Sequence, residues 1–205
     1  MLESLDDLAR ALADQFVLDA QSAVAQRGRF YVALAGGTTP APAYKLLAEE
    51  PRMDQVQWND VRVYFGDERC VPPQDNQSNY KLANDTFLTA VNIPLANVHR
   101  MQGEEDPQRA ATQYAQVLRR DLGDPPQFDL ILLGMGPDGH TASLFPGTVQ
   151  SDDTKMVDAP FIPKFGTYRL TITPRVINAA RHVVIATAGP EKANALAAAL
   201  HGPYD

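Results

Sequence analysis

Residues 130–145, LILLGMGPDGHTASLF, decide which fold class this sequence predicts. The apolar run Leu130–Leu133 is typical of a buried strand, and it leads directly into a glycine-rich turn. Gly134, Gly136 and Gly139 have the G-x-G-x-x-G spacing of a dinucleotide-binding turn. A buried strand that ends in such a turn is typical of α/β proteins, whose ligands bind beyond the carboxyl ends of parallel strands.

The dinucleotide interpretation does not hold in this context. It needs a long helix after the turn and an acidic residue at the end of a second strand, roughly 20 residues on. The pair Pro146-Gly147 would end any helix early, and Asp138 inside the turn would face a pyrophosphate with like charge. The acidic residues at a suitable distance lie in a stretch that we expect to be irregular, residues 145–166: Asp152, Asp153 and Asp158.

Outward from this turn, strand-like segments alternate with amphipathic helical ones. The predicted strands are RFYVALAGG, VRVYFGDE, FDLILLG, YRLTITP and HVVIATAG. The predicted helices are a long one between Ser4 and Gly28, PAPAYKLLAEE, SNYKLANDTFL, PQRAATQYAQVLRRDL and EKANALAAAL. This alternation predicts a single α/β domain over residues 1–205, with a doubly wound, mostly parallel, Rossmann-like sheet and helices on both faces. The long loop 145–166 is of a kind that is often functional.

Composition narrows the class of protein. The chain has 205 residues, of which 44% are hydrophobic and 21% charged, so it can bury an ordinary core. Its net charge of −7 weighs against a nucleic-acid partner, because such binding needs clustered basic residues. We expect no membrane association, since no apolar run approaches ~20 residues and the acidic start does not resemble a secretory signal. The single cysteine, Cys70, fits a reducing compartment, and we expect a cytoplasmic protein.

The first predicted strand ends in ALAGGTTPAPAY, which has the features of an anion site. Thr39 as N-cap and Pro40 in the first helical turn would leave backbone N–H groups at a helix start. Gly37 would free the backbone, and Thr38 adds a hydroxyl. The alternative is an ordinary capped turn. No Gly-Lys-Ser/Thr follows, so the loop is not a P-loop.

The second predicted strand leads into FGDERCVPPQDNQSNY. Arg69 could grip a phosphate through two parallel hydrogen bonds, and Asp67 could hold that arginine or bind sugar hydroxyls. The alternative is a surface ion pair between the two side chains, which would contribute little. Cys70 has no partner or base near it in the sequence, so we do not expect a reactive thiol.

The third loop contains Asp138-Gly139-His140-Thr141. A histidine has an unperturbed pKa of about 6.5 and can accept a proton at cellular pH. An adjacent carboxylate, here Asp138, can orient the ring and stabilise its protonated form. The alternative is a histidine that caps a helix or bonds the backbone.

Other combinations are weaker. A metal could bind Asp138 and His140, but no further histidine has a spacing that completes a site. Ser143 with these two residues resembles a triad, yet the G-x-S-x-G turn that exposes a nucleophilic serine is missing. Lys192, in AGPEKANAL, begins a helix after the last strand and could reach an anion there, although a solvated lysine is the common case.

Taken together, the loops resemble one family, the 6-phosphogluconolactonases, within the superfamily that includes the glucosamine-6-phosphate deaminases. The resemblance extends from about Phe30 to Leu200, and its most specific parts are DERxVP and GMGxDGHTASLFPG. The segments that carry it, in the family's order and spacing, are LAGGTTP, FGDERCVPPQDNQSNY, FDLILLGMGPDGHTASLFPG, RLTIT and GPEKANAL.

The resemblance implies hydrolysis of 6-phospho-D-glucono-1,5-lactone to 6-phospho-D-gluconate in the oxidative pentose phosphate pathway, without metal or cofactor. It implies that His140 is the general base that activates water and that Asp138 supports it. We expect a monomer whose partner is the small sugar-phosphate lactone. The residues expected to contact phosphate and sugar are Gly37, Thr38, Thr39, Asp67, Arg69, Arg169 and Lys192.

The chain departs from the family pattern in two respects. Ala35 stands where serine is frequent, and both ends look short, by a strand before the first helix and by a strand and helix after GPEKANAL. A sugar-phosphate isomerase or deaminase is the nearest rival, although DGHTASLF lacks the acidic and amide residues that follow DGH in deaminases. A non-catalytic sugar-phosphate sensor would need neither Asp138 nor His140.

Overall fold

The predicted alternation of helices and strands is present in the computed structural model, which describes residues 2–148 and 154–202. Asp152 and Asp153, and with them the middle of the 145–166 loop, lie outside the described residues. The helices are α1 (Leu5–Arg27), α2 (Ala41–Leu47), α3 (Arg52–Gln55), α4 (Asn79–Ala83), α5 (Pro107–Leu122), α6 (Pro174–Ala179) and α7 (Ala193–His201). The strands are β1 (Phe30–Leu34), β2 (Val61–Phe65), β3 (Asp67–Arg69), β4 (Leu130–Gly134), β5 (Val157–Asp158), β6 (Phe161–Ile162), β7 (Thr167–Ile172) and β8 (Val183–Ala186).

Helix α1 has the ends that its sequence predicts. The Ser4 hydroxyl accepts a hydrogen bond from the Asp7 backbone N–H at 3.1 Å, as an N-cap does. At the other end Gly28 adopts φ +74° and donates its N–H to the Val24 carbonyl, which closes the last turn. Both signals are local, so a prediction made without tertiary information was sufficient here.

The central sheet has four parallel strands in the order β2-β1-β4-β8. The carboxyl ends of these strands therefore meet at one edge, where the loops after β1, β2 and β4 lie side by side. This geometry places the three loops singled out in the sequence next to one another.

Alternate residues of each strand face opposite layers of the core. In β1, Phe30, Val32 and Leu34 pack in a layer with residues of α1 and α2, whereas Ala33 packs in the other layer with residues of α5 and α6. The strands β2 and β4 divide their residues in the same way. The fold is thus a mixed α/β structure with helices flanking a parallel sheet.

One strand prediction needs correction. YRLTITP was expected to join the mostly parallel sheet, but β7 lies in a second, antiparallel sheet of order β3-β7-β5, with β6 also paired to β7. The reason is the short connection between β6 and β7, because a tight turn permits only antiparallel pairing. Residues 154–166 are correspondingly more regular than expected, and Asp158 lies in β5, where it pairs with Lys155 at 3.1 Å.

The start of α2 also differs from the prediction. Thr39 is not the N-cap; the helix begins at Ala41, and its cap position is Pro40, which forms no side-chain capping bond. Pro40 already has helix-like dihedral angles, φ −80° and ψ −19°, and its carbonyl accepts the first helical hydrogen bond, from Tyr44. Residues 37–39 therefore form a turn ahead of the helix.

Candidate active site

A cavity of about 290 Å³ opens at the carboxyl edge of the parallel sheet. Its walls come from the loops after β1, β2 and β4, from the β6–β7 region and from the start of the segment that leads into α7. The sequence-predicted site residues that line it are Gly37, Thr38, Thr39, Asp67, Arg69, His140, Arg169 and Lys192.

Asp138 and His140 form a hydrogen-bonded pair at this cavity. The His140 Nδ1 atom makes a short contact with the Asp138 Oδ1 atom, and both side chains are less than one-third exposed. Partial burial opposes ionisation of Asp138, but its hydrogen bonds with His140 outweigh that effect and leave the pKa of Asp138 below its ordinary value. A carboxylate bound to Nδ1 orients the ring so that Nε2 can exchange a proton.

The turn after β4 is shaped around the imidazole ring. A Cβ atom at Gly136 would lie 2.1 Å from the His140 Cε1 atom, so only glycine leaves room for the ring in this position. The Gly136 N–H also donates to the His140 carbonyl at 2.8 Å, which closes the turn. Residues 135–148 contain turns and bends rather than a helix, as expected when the dinucleotide interpretation was set aside.

Two phenylalanines and a lysine that sequence reasoning did not single out complete the surroundings of His140. The Phe145 ring stacks on the imidazole with centroids 4.0 Å apart, and Phe165 packs edge-on against Phe145 at 5.7 Å. The Lys164 ammonium lies 3.6 Å from the second oxygen of Asp138. Phe145 could have been found from the sequence, because it is an aromatic residue in the same loop as His140. Lys164 and Phe165 lie in the β6–β7 turn, and nothing in the sequence near them indicates a contact with His140.

Arg69 and Arg169 face each other across two antiparallel strands. They are register partners in the β3–β7 pair, so two like charges lie directly opposite one another. Burial, and then the charge of Arg69, lower the pKa of Arg169. Like charges in such positions are destabilising unless something compensates them. A bound anion between the guanidinium groups would supply that compensation.

Asp67 connects the loops after β2 and β4. Its Oδ1 atom accepts a hydrogen bond from the Asn79 side chain at 2.9 Å, and its Oδ2 atom accepts one from the Ser143 hydroxyl at 2.7 Å. Both carboxylate oxygens thus already accept hydrogen bonds from protein groups. A contact of Asp67 with sugar hydroxyls stays a prediction. The Ser143 hydroxyl is committed to Asp67 rather than to His140, which agrees with the rejection of a serine triad.

Arg69 is held by a backbone group instead of by Asp67. Its guanidinium donates to the carbonyl oxygen of Gln77. The surface ion pair between Asp67 and Arg69, which was the alternative interpretation, is not formed among the residues that the structure describes. The remaining N–H groups of Arg69 are therefore available to the cavity.

Asn79 is a buried residue of the cavity that sequence reasoning missed. It is 2% exposed, and its Nδ2 group donates to both the backbone and the side chain of Asp67. Its Oδ1 atom has no hydrogen-bond partner in the described structure. A Cβ atom at Gly36 would lie 1.7 Å from that oxygen, so the glycine pair of the first loop also makes room for Asn79.

Three further observations concern other kinds of site. Over residues 2–148 and 154–202, no group of three histidine, cysteine or acidic side chains is placed to hold a metal ion. In the same residues no helix is long and apolar enough to cross a membrane. Cys70 is a half-buried free thiol, and burial raises its pKa, which fits the expectation that it is not reactive.

Comparisons with known proteins show the family of the chain. The family model for glucosamine-6-phosphate isomerases/6-phosphogluconolactonase matches residues 3–205. The chain is 35% identical to a 6-phosphogluconolactonase of Haemophilus influenzae over 166 residues, covering 81% of this chain and 71% of that protein. It is 41% identical to a 6-phosphogluconolactonase of Synechocystis over 180 residues, covering 85% and 72%.

A solved structure gives the same result at the level of the fold. The structure of 6-phosphogluconolactonase from Trypanosoma brucei superposes with a TM-score of 0.87 at 28% identity, covering 98% of this chain and 86% of that one. Since the family model spans nearly all residues and two relatives exceed 30% identity, the chain belongs to the glucosamine-6-phosphate isomerase/6-phosphogluconolactonase family.

Proposed function

We propose that this protein hydrolyses 6-phospho-D-glucono-1,5-lactone to 6-phospho-D-gluconate, the lactonase step of the oxidative pentose phosphate pathway. Its relatives in Haemophilus and Synechocystis carry the name of this activity. The observation that carries the proposal is a single cavity lined by His140, which Asp138 holds, and by the facing Arg69 and Arg169. A proton acceptor and an anion site in the same cavity suit a phosphorylated ester.

In the proposed mechanism, His140 Nε2 removes a proton from a water molecule as its oxygen attacks the lactone carbonyl carbon. The ring C–O bond then breaks, and the protonated His140 returns its proton to the departing alkoxide oxygen. Asp138 stabilises the imidazolium while it exists. That proton transfer regenerates the neutral histidine, and the product acid then loses its proton to solvent.

The phosphate would serve as the handle that positions the lactone. Arg69 and Arg169 supply guanidinium donors, and Lys192 adds a third cation at the cavity wall. The turn at Gly37 to Thr39 offers backbone N–H and hydroxyl groups to the same cavity. Binding energy from this remote group can be spent on holding the carbonyl beside His140, which raises the rate of the chemical step.

The proposal is tested by coupling product formation to 6-phosphogluconate dehydrogenase and comparing the purified protein with spontaneous hydrolysis. We expect a large acceleration with the phosphorylated lactone and much slower turnover of unphosphorylated gluconolactone. Equal turnover of the two lactones would contradict a phosphate site. Ammonia release from glucosamine 6-phosphate without lactone hydrolysis would indicate a deaminase instead. Binding of the sugar phosphate without turnover would indicate a non-catalytic sensor.

Replacing Arg69 with methionine tests directly whether this residue binds the substrate phosphate. We expect the KM for the phosphorylated lactone to rise by about tenfold or more, because a hydrogen bond to a charged group is lost. Arg10→Met is the matched control, since Arg10 pairs with Asp7 on the exposed face of α1. An unchanged KM in the Arg69 variant would contradict this assignment.

We also infer that the parallel sheet is doubly wound and Rossmann-like. The chain passes from β1 outward to β2, then returns across β1 to β4 and continues to β8, so the strand order reverses between β1 and β4. The cavity lies beyond this reversal. We keep the expectations of one domain, a cytoplasmic location and no nucleic-acid partner as parts of the proposal, supported by the acidic composition and the single cysteine.

A further inference from the structure

A second polar pocket lies at the opposite end of the sheet from the proposed active site. It encloses about 230 Å³ beside the amino ends of β1 and β2, and its polar side chains come from four separate parts of the chain. Strands of five residues span roughly 15 Å, so this pocket is distinct from the cavity at the carboxyl ends. Its lining includes three arginines and three aromatic side chains with polar atoms: Arg29, Arg62, Arg120, Tyr31, Tyr64 and His99.

Three guanidinium groups converge on this pocket in a protein whose net charge is −7. Arg120 is held by Asp121 through two hydrogen bonds of 2.6 and 2.8 Å. Arg62 donates from one nitrogen to the carbonyl oxygens of Asn59 and Val61, at 2.9 and 3.1 Å. These contacts fix both arginines at the pocket wall while leaving donors unused.

Two of the three arginines are not neutralised by a neighbouring acid. Within residues 2–148 and 154–202, neither Arg29 nor Arg62 has a carboxylate oxygen within 4.0 Å. Asp60 acts on Arg29 only at longer range, and the Tyr31 side chain raises the pKa of that guanidinium. Asp121 is already bound by Arg120 and by the Tyr64 hydroxyl, at 3.0 Å. The pocket therefore keeps an excess of positive charge.

A stacked aromatic pair lines the pocket. The His99 ring stacks on Tyr64 with centroids 4.6 Å apart and an interplanar angle of 19°. Burial lowers the pKa of His99; Asp121 opposes this effect, and Arg120 and Arg62 add to it. Burial thus favours the neutral form of His99, whose ring lines the pocket together with the arginines.

We propose that this pocket binds a small phosphate-bearing anion with two or more negative charges. Arginine forks match the oxygens of phosphate through paired hydrogen bonds, and three of them on one wall suit two phosphate groups better than one. The Tyr31 hydroxyl provides a further hydrogen-bonding group. The site is independent of the lactonase proposal, because no pocket residue named here lines the active-site cavity.

The test is a titration with pyrophosphate at constant pH and ionic strength, followed by NMR of the histidine side chains. His99 reports on this pocket and His140 on the proposed active site, so the two sites are read separately. We expect saturable shifts of the His99 signals. Arg29→Met and Arg62→Met should each weaken that binding by about tenfold or more, as the loss of a charged hydrogen bond predicts.

Controls decide what each result means. The Arg69→Met variant should change the shifts of the His140 signals on addition of pyrophosphate and leave those of the His99 signals intact. The Arg10→Met variant should change neither. Arg29 is exposed, so we expect the Arg29→Met variant to keep the fold. An unchanged pyrophosphate affinity in that variant would therefore be informative. Shifts of His99 that do not saturate, affinity unchanged in both variants, or binding of citrate in place of pyrophosphate would overturn the proposal.

Discussion

At the scale of the residue, the proposed chemistry depends on one imidazole and the groups that fix its position. Asp138 binds Nδ1, Phe145 stacks on the ring, and Gly136 leaves the space that the ring occupies. Only Asp138 and His140 could be identified as a pair from the sequence, because they are two residues apart. The glycine spacing first resembled a dinucleotide turn, yet the glycine at 136 accommodates a side chain of the same loop.

We expect Gly136→Ala to lower kcat by about 100-fold, since the new methyl group would displace His140 from its productive position. The KM should change little, because the phosphate handle lies elsewhere. Steady-state kinetics with the phosphorylated lactone measure both quantities. Gly134→Ala separates the two effects of an added methyl group, because Gly134 also lines the cavity but a Cβ atom there meets no protein atom within 4 Å. A wild-type kcat in the Gly136 variant would show that the ring does not need this space.

At the scale of the element, the short helix α4 is fixed by a buried carboxylate. One oxygen of Glu68 accepts from the backbone N–H groups of Asn79 and Arg69, and the other accepts from Tyr80 N–H and the Ser78 hydroxyl. Burial raises the pKa of Glu68, and these four donors act against that effect. The network joins β3 to α4 and thereby places Asn79 beside Asp67.

Replacing Glu68 with glutamine is expected to lower the free energy of unfolding by about 1–3 kcal/mol at neutral pH, because an amide N–H₂ would face backbone donors. Urea denaturation followed by circular dichroism gives this value. Glu104→Gln serves as the control, since Glu104 only pairs with Arg100 near the surface. Equal destabilisation by both variants would argue against the capping role.

The elements also show where sequence reasoning succeeds and where it fails. Helix α1 was predicted with both of its caps, and β4 was predicted from its apolar run, because the signals lie within the segments themselves. The antiparallel pairing of β7 with β3 could not be predicted, since it depends on contacts between distant residues. That pairing is what places Arg169 opposite Arg69.

At the scale of the whole molecule, the parallel sheet has a polar pocket at each end of its strands. The loops at the carboxyl ends form the proposed active site, and the arginines near the amino ends form the second pocket. Both depend on side chains that strand order brings together from separate segments. Eight of the residues that the sequence predicted as site residues line the first cavity. The second pocket was not identified from the sequence, because Arg29, Arg62 and Arg120 belong to no common motif.

We expect the chain to be a monomer. Light scattering coupled to size-exclusion chromatography should give a mass near 22.4 kDa at all loading concentrations. A concentration-dependent mass approaching twice that value would contradict the expectation.

The central claim is that His140 is the general base of a lactonase, and the His140→Ala variant tests it most directly. We predict a kcat lowered by about 10²–10⁴-fold with little change in KM, because the base acts only in the transition state. The control is His182→Ala, because the His182 ring is hydrogen-bonded to Asp19 and lies away from the cavity. This variant should keep wild-type kinetics. In the wild type, Asp138 should stay ionised as the pH is lowered below neutrality, because its hydrogen bonds with His140 keep its pKa below the ordinary value. Wild-type turnover by the His140→Ala variant would contradict the account.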